Sequence, residues 1–430
     1  MTSGVFPKFF LFLLQIGIMD NFDVIIIGAG ASGLVAAIKA SEYGQKVAVL
    51  EKMSIPGKKL LITGKGRCNI TNDSDIREFI DQVYPDGRIL FSVFKQFFSY
   101  DILSLLSEEG VEVKLERGGR YFPESDKASD VVDALYNRAL RQNVKFLYNA
   151  NVNKILYESG DVRGVEFLQN NKINILHSEK VIVCTGGKSY PGTGSTGDGF
   201  RLAMEAGHTI NEPYPALVPL VTEDWRARDM QGLSLKNVEA KLIINDKEDR
   251  SEFGEMLFTH YGLSGPVILT LSRDVVLALD KKNKVEVEID WKPALDEAKL
   301  DKRLIRDINE RGKLKVVNIF KGWLPQKAIP VFINSIGLDS EKPSNQISSD
   351  ERNRIINELK KMRFRINGHR GFKEAIVTAG GVSLDEINQK TMESKLRKGL
   401  FFAGEVLNLD ANTGGYNLQI AFSTAYVAAS

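Results

Sequence analysis

The segment DVIIIGAGASGLVAAIKASEYGQKVAVLE, residues 23 to 51, constrains this chain more than any other stretch. DVIII, from Asp23 to Ile27, is rich in β-branched apolar residues and reads as a buried parallel strand. Gly28, Gly30 and Gly33 follow at once in the pattern G-x-G-x-x-G, and LVAAIKASEYG then reads as a helix that Gly44 can stop. KVAVLE supplies a second strand ending at Glu51, close to where dinucleotide folds place an acid. Each part has a physical task. The first glycine permits the tight turn, the second admits a pyrophosphate, and the third lets helix and strand pack closely. The pyrophosphate meets the positive end of the helix, so Ala29, Ala31 and Ser32 join Gly28, Gly30 and Gly33 in the predicted cradle. Glu51, with Lys52 beside it, is placed to accept hydrogen bonds from both ribose hydroxyls of an adenosine.

The same glycine pattern recurs as GTGSTG, residues 192 to 197, and there its context fails. The nearest strand, KVIVCTGG, ends before KSYP, so Pro191 separates strand from glycines. DGFRLAMEAGH then reads as a helix with Asp198 near its start, and Pro213, Pro215 and Pro219 interrupt any following strand. The chain is therefore expected to hold one dinucleotide, with the second copy forming a turn that caps a helix beside that site.

Composition narrows the class. A chain of 430 residues with 43% hydrophobic and 26% charged residues is an ordinary globular protein of two or three domains. A net charge of +2 gives no reason to expect a nucleic-acid surface. Cys68 and Cys184 lie outside any C-x-x-C, which argues against a disulfide framework or dithiol chemistry and for a reduced, cytoplasmic setting. His177, His208, His260 and His369 have no metal-ligand spacing, so no metal is expected. The apolar run from Phe9 to Ile18 is too short to span a bilayer, and no stable membrane insertion is expected. Residues 1 to 18 read as an upstream extension or a misplaced start, ahead of the natural opening MDNFDVIIIGAG, or else as a weak membrane contact.

Three later segments favour FAD over NAD as the dinucleotide. PGKKLLITGKGRCNITN, residues 56 to 72, is a flexible basic loop suited to diphosphate and flavin polar edges. It contributes Gly57, Lys58, Lys59, Thr63, Gly64, Gly66, Arg67, Cys68 and Asn69 as candidate cofactor residues. VIVCTGG is a returning strand ending in Thr185, Gly186 and Gly187, with Cys184 as a small core residue. Near the C-terminus LFFA reads as a strand ending at Gly404 and Glu405. A turn through Thr413, Gly414 and Gly415 then leads into a helix that begins at Tyr416 and Asn417. That helix start is suited to stabilise the negative charge a flavin pyrimidine gains on reduction. Glu405 is a candidate acceptor for a ribityl hydroxyl.

These segments, with RYFPESDKASDVVDAL and GEMLFTHYGLSGPVIL, resemble the BaiN/RdsA-type flavoproteins, a group that includes an aminoacetone oxidase and NAD(P)/FAD-dependent oxidoreductases. The resemblance runs from Asp23 to the C-terminus. It implies an α/β fold: a discontinuous Rossmann-like FAD domain, residues 19–211 and 373–430, around an inserted domain, 212–372. The insert is expected to be a small β-barrel with a helical subdomain at about 293–362. The resemblance also implies that Val152 touches the adenine through its backbone.

The flavin itself carries hydride chemistry, so the protein's part is position and electrostatics. His260 is the leading candidate base because a neutral imidazole accepts a proton near pH 7. Tyr416, Tyr190 and Tyr261 are weaker candidates. The expected reaction passes hydride between a small organic substrate, an amine or an activated C–C bond, and the flavin. NAD(P)H or O2 is the candidate redox partner. STGDGF also resembles fumarate reductases and ketosteroid dehydrogenases, which keeps an ene-reductase open, as does a non-catalytic flavin-binding or RNA-modification accessory role.

Overall fold

The computed structural model describes residues 21–42 and 44–430; the stretch 1–18 lies outside them. The chain divides into two compact units, one formed by residues up to Tyr214 together with Val377–Ser430, the other by Pro215–Ile376.

The first unit opens with β1 (Val24–Ile27), α1 (Ala31–Ser41) and β2 (Val47–Glu51). α2 (Ala128–Arg141) and β3 (Lys145–Tyr148) follow after a hairpin, Val113–Glu116 with Arg120–Pro123. β4 (Asn151–Glu158), β5 (Asp161–Gln169) and β6 (Lys172–His177) make an antiparallel meander. The first of its turns uses Ser159 and Gly160, both at positive φ. β7 (Lys180–Val183) returns to the main sheet, and α3 (Asp198–Glu205) follows.

The second unit is built on β8 (Leu220–Val221), β9 (Ser234–Ile244), β10 (Lys247–Thr259) and β11 (Gly262–Ser264). After α4 (Pro266–Asp280) come β12 (Val285–Asp290), helices α5 (Glu297–Arg311), α6 (Val316–Phe320), α7 (Ala328–Ser335) and α8 (Ser349–Lys360), then β13 (Met362–Arg365) and β14 (Gly368–His369). The expected barrel takes the form of one seven-stranded antiparallel sheet, order β13-β12-β9-β10-β11-β8-β14. A core that includes Phe258, Phe320, Phe332 and Phe364 joins this sheet to its helices.

The chain re-enters the first unit with β15 (Val377–Val382), β16 (Leu400–Phe402) and α9 (Tyr416–Ala429). The main sheet is parallel throughout, in the order β16-β7-β1-β2-β3. Its central strand is buried from Val24 to Ile27, as a strand covered on both faces must be. Each such side chain contributes about 1.5–3 kcal/mol by leaving water. α1 packs so closely on β1 that a Cβ on Gly33 would lie 1.8 Å from the Gly28 carbonyl oxygen. Among the described residues no single helix is long and apolar enough to cross a membrane.

Candidate functional site

Because β16, β7, β1 and β2 are parallel neighbours, the loops leaving them at Gly404, Thr185, Gly28 and Glu51 share one edge of the sheet. In open parallel sheets that carboxyl edge is where ligands bind. Neighbouring strands lie about 4.8 Å apart, so roughly 14 Å separates the strand of Glu51 from that preceding Glu405.

The centre of this edge is the start of α1. Leu34 N–H donates to the Gly30 carbonyl at 3.0 Å, so the amides of Ala31, Ser32 and Gly33 precede the first helical bond. No side chain caps them, and the first turn carries no acid. A Cβ on Gly30 would meet nothing within 4 Å. This is an open cradle of amide donors at the positive end of a helix. Beside it, the Glu51 carboxylate accepts from the Ala29 amide through Oε2 and the Met53 amide through Oε1, each at 2.7 Å. A carboxylate offers about four acceptor positions, so about two remain.

The segment after β2 is more ordered than a flexible basic loop. Gly57 N–H donates to the Ala29 carbonyl at 2.8 Å, and Leu60–Gly66 forms a short 3-10 segment broken at Thr63, Gly64 and Lys65. Two of its four cations, Lys59 and Arg67, are paired within the protein, so only part of the segment is a free basic cradle. Arg67 pairs with Glu116 and, at 2.7 Å, with Asp126, and its guanidinium lies 4.1 Å from the Phe122 ring centroid. Lys52 reaches Asp198 and Thr196, both at 2.5 Å, which brings the GTGSTG turn beside the end of β2. Lys59 pairs with Glu405 at 2.6 Å. Among the described residues Lys58 makes no ion pair. Cys68 is buried and burial pushes its thiol up to about 12, while burial raises that of Cys184 as well. Neither is a thiolate at neutral pH. Asn69 presents a buried Oδ1 with no hydrogen-bond partner among the described residues, an acceptor still waiting for a donor.

Glu405 sits at a convergence of four chain segments. Its Oε1 accepts from the Ser189 hydroxyl and the Thr378 amide, both at 2.7 Å, and its Oε2 accepts from Lys59. Burial by itself raises the carboxyl's pKa, but the Lys59 charge and these hydrogen bonds outweigh it and hold the pKa below the usual carboxylate value. Gly187 passes so close that a Cβ there would strike Thr378 Oγ1 at 2.4 Å; Thr185 and Gly186 precede it, half-buried. Ser189, Thr378 and Thr196 are partners that sequence reasoning did not single out, and Asp198 stood out only as a residue near a helix start.

At the C-terminal turn, Thr413, Gly414 and Gly415 lead into α9, whose first turn also has no side-chain cap. Asn417 uses its own side chain to hold this turn, donating to the Ala411 and Asn412 carbonyls and accepting from the Ala411 amide. Tyr416 packs edge-on against Phe79, with its hydroxyl 3.4 Å from Ser74 Oγ. Val152 is buried, and its carbonyl accepts from Arg201 at 3.2 Å. Tyr190 is half-buried at φ +51°, directly after Ser189.

His260 and Tyr261 belong to the second unit. His260 is exposed on the turn between β10 and β11, its ring 4.8 Å from that of Tyr261 and edge-on to it. Arg370 lies 4.7 Å from the Tyr261 ring centroid. Among the described residues no group of His, Cys, Asp and Glu is placed to hold a metal ion.

Comparison with known proteins gives the same outline. Residues 22–430 match the family described as HI0933-like protein Rossmann domain. A 3-dehydro-bile acid delta(4,6)-reductase from Clostridium scindens is 30% identical over 406 residues, covering 94% of this chain and 97% of that protein. A ribosomal RNA dihydrouridine synthase from Haemophilus influenzae is 29% identical with the same coverage. Among solved structures, the 3-ketosteroid-delta4-(5alpha)-dehydrogenase from Rhodococcus jostii RHA1 shares the fold, with a TM-score of 0.52, 15% identity and 97% of each chain covered.

Proposed function

The chain belongs to the HI0933-like Rossmann family, and from that premise we propose that it is an FAD-dependent oxidoreductase that saturates a carbon–carbon double bond conjugated to a carbonyl. The observation that carries the cofactor reading is the uncapped start of α1 with open space at Gly30 and two unfilled acceptor positions on Glu51. Bound FAD would supply the hydride transfer itself. The protein's groups divide the remaining tasks along the carboxyl edge of the sheet. The amides of Ala31, Ser32 and Gly33 take the pyrophosphate, and Glu51 takes the adenosine ribose. Asn69 and the start of α9 serve the polar rim of the flavin, where the helix N-terminus favours negative charge. Lys58, the turn 413–415 and the segment Thr185–Gly187 complete the cofactor contacts in this reading.

The substrate class rests on the two full-length relatives. A delta(4,6)-reductase and a dihydrouridine synthase act on different molecules, yet both names describe hydrogen added across a double bond. Such a reduction needs a hydride at one carbon and a proton at its neighbour. His260 is the proposed proton-handling group, with Tyr416 second. NAD(P)H is the proposed reductant and O2 a competing oxidant of the reduced flavin.

The test is anaerobic. Purified protein is reduced with NADH or NADPH and mixed with a conjugated cyclic enone, a uridine-containing RNA or a primary amine. Reoxidation of the flavin by enone or uridine supports the reading; reduction of oxidised flavin by the amine replaces it with an amine oxidase. A bound flavin that no substrate changes indicates an accessory protein. Once a substrate is known, His260→Ala should keep the flavin spectrum and slow the chemical step by at least about 100-fold. A wild-type rate in stopped-flow would remove His260 from the mechanism.

A further inference from the structure

Arg67, Lys114, Arg117 and Arg120 lie on or beside the hairpin of Val113–Glu116 and Arg120–Pro123, and their charges are met unequally. Arg67 is matched by Glu116 and Asp126, and Lys114 shares Asp126 at 3.0 Å. Arg117 and Arg120, at the tip, form no ion pair among the described residues. Arg120 is half-buried, and its Nε donates to the Arg117 carbonyl at 3.0 Å. That bond holds the guanidinium at the tip and leaves both terminal nitrogens free to donate. Arg120 shares a face of its strand with Phe122, whose ring centroid lies 5.8 Å from the Arg120 guanidinium carbon. A Cβ on Gly64 would lie 3.4 Å from the same ring, so this face covers the segment that follows β2.

The tip is fixed from below. Asn72 is buried and stands opposite Arg120 in the sheet register. Its Nδ2 donates to the Gly118 carbonyl at 3.1 Å and to the Gly414 carbonyl at 2.9 Å, while its Oδ1 accepts from the Ser74 amide and hydroxyl. One side-chain amide therefore ties the hairpin tip to the turn ahead of α9. The Asp73 amide adds a bond to the Gly119 carbonyl at 2.8 Å, and the Asp73 carboxylate accepts the Tyr121 hydroxyl at 2.9 Å. Exposed arginines are commonly no more than solvated. These two differ in that their cationic neighbours are matched and their backbone is pinned beside the turn assigned above to the flavin ring. A guanidinium fork matches a group with two negatively charged oxygens. We propose that Arg117 and Arg120 form an oxyanion-recognising subsite, so that the molecule reduced here carries a carboxylate or a phosphate. This rests on the reading of the site as that of a flavin-dependent reductase.

The probes are matched pairs: uridine monophosphate against uridine, and a cyclic enone carboxylic acid against its methyl ester. Each is titrated by calorimetry into the full-length, flavin-loaded protein, and each is mixed anaerobically with the reduced form. Hydrogen bonds to charged groups set the scale. In the wild type the anionic member of at least one pair should bind at least about 10-fold more tightly than its neutral partner. The pair that shows this tells phosphate from carboxylate. Arg117→Ala and Arg120→Ala should each weaken that anion by about 10- to 150-fold and leave the neutral partner and the flavin content as in the wild type. Arg120→Lys keeps the charge and loses the fork, so it should recover only part of the loss. If Arg120→Ala does not fold, Arg117→Ala, at an exposed position, carries the test. Equal binding of anion and neutral partner in the wild type, equal loss of both in the variants, or unchanged anion binding in the variants would overturn the subsite. An anion preference set by the arginines, with no probe reoxidising the reduced flavin, would keep the subsite and overturn the reductase reading.

Discussion

In GAGASG the middle glycine, Gly30, has an ordinary φ of −79° and open space where a side chain would stand. In GTGSTG the corresponding Gly194 has φ +105°, and a Cβ there would lie 3.0 Å from Met53 Cγ. The first position leaves the backbone open to close approach; the second is glycine because the backbone itself turns left-handed. Gly197, which precedes α3, is also left-handed at φ +86°. The two copies share a spelling, and they differ in who occupies the space. At Gly30 it is open to a ligand. At Gly194 it is filled by Met53 and Lys52 of the same unit. The second copy supports the first instead of repeating it, through the contacts of Lys52 with Thr196 and Asp198.

The contrast can be broken most forcefully at Gly30. Gly30→Val has room in the folded protein, so its melting temperature should stay near the wild type while FAD binding is lost. If that variant purifies with a full complement of flavin, the cradle is elsewhere. Glu51→Ala should come next. It removes a charged acceptor from two hydroxyls and should weaken FAD by about 10- to 150-fold; an unchanged dissociation constant takes Glu51 out of the site. Gly194→Val should show the reverse pattern to Gly30→Val. Forcing a side chain into left-handed backbone costs about 1–2 kcal/mol, so thermal stability should drop while FAD affinity stays close to the wild type. Equal loss of FAD in both glycine variants would erase the distinction drawn between the copies.

The smallest effect lies past the C-terminal end of α3. The chain leaving that helix is anchored by His208, which is buried and bonds Glu386 Oε2 through Nδ1 at 3.0 Å and Ser394 Oγ through Nε2 at 2.7 Å. The Glu386 carboxylate only accepts, so Nδ1 carries the proton. Ser394 Oγ accepts the Leu396 and Arg397 amides, which leaves its own hydroxyl to donate to Nε2. The ring is thus held neutral, and burial pushes its pKa below the ordinary 6.5 despite the Glu386 hydrogen bond. A lowered folded pKa means that this contribution is fully present above about pH 6.5 and is lost as pH falls toward the folded value. Thermal melts from pH 7 to 5 should therefore decline more steeply in the wild type than in His208→Gln, by a few degrees at most. Parallel slopes would show that His208 does not titrate on unfolding.

Much of the first unit was legible in the residues. The β-branched run before Gly28, the strand ending in Glu51, the returning VIVC strand and the small-residue helix after Gly415 all stand where their local chemistry placed them. Periodicity and glycine spacing are short-range properties, and these elements are built by short-range rules. The state of the charges was not legible. PGKKLLITGKGRCN reads as a basic, phosphate-seeking loop. Yet Arg67 is matched to Glu116 and Asp126, and Lys59 to Glu405, from sequence distances of 49, 59 and 346 residues. Nor does any local signal mark Thr378 and Ser189 as supports of Glu405. The sequence by itself determined a βαβ unit able to receive one dinucleotide, because strand, turn and helix each arise from neighbours within a few positions. Only the tertiary structure decided which cations remain available and which acid they surround, because ion pairs and hydrogen bonds form between atoms within about 3 Å, however far apart the chain holds them.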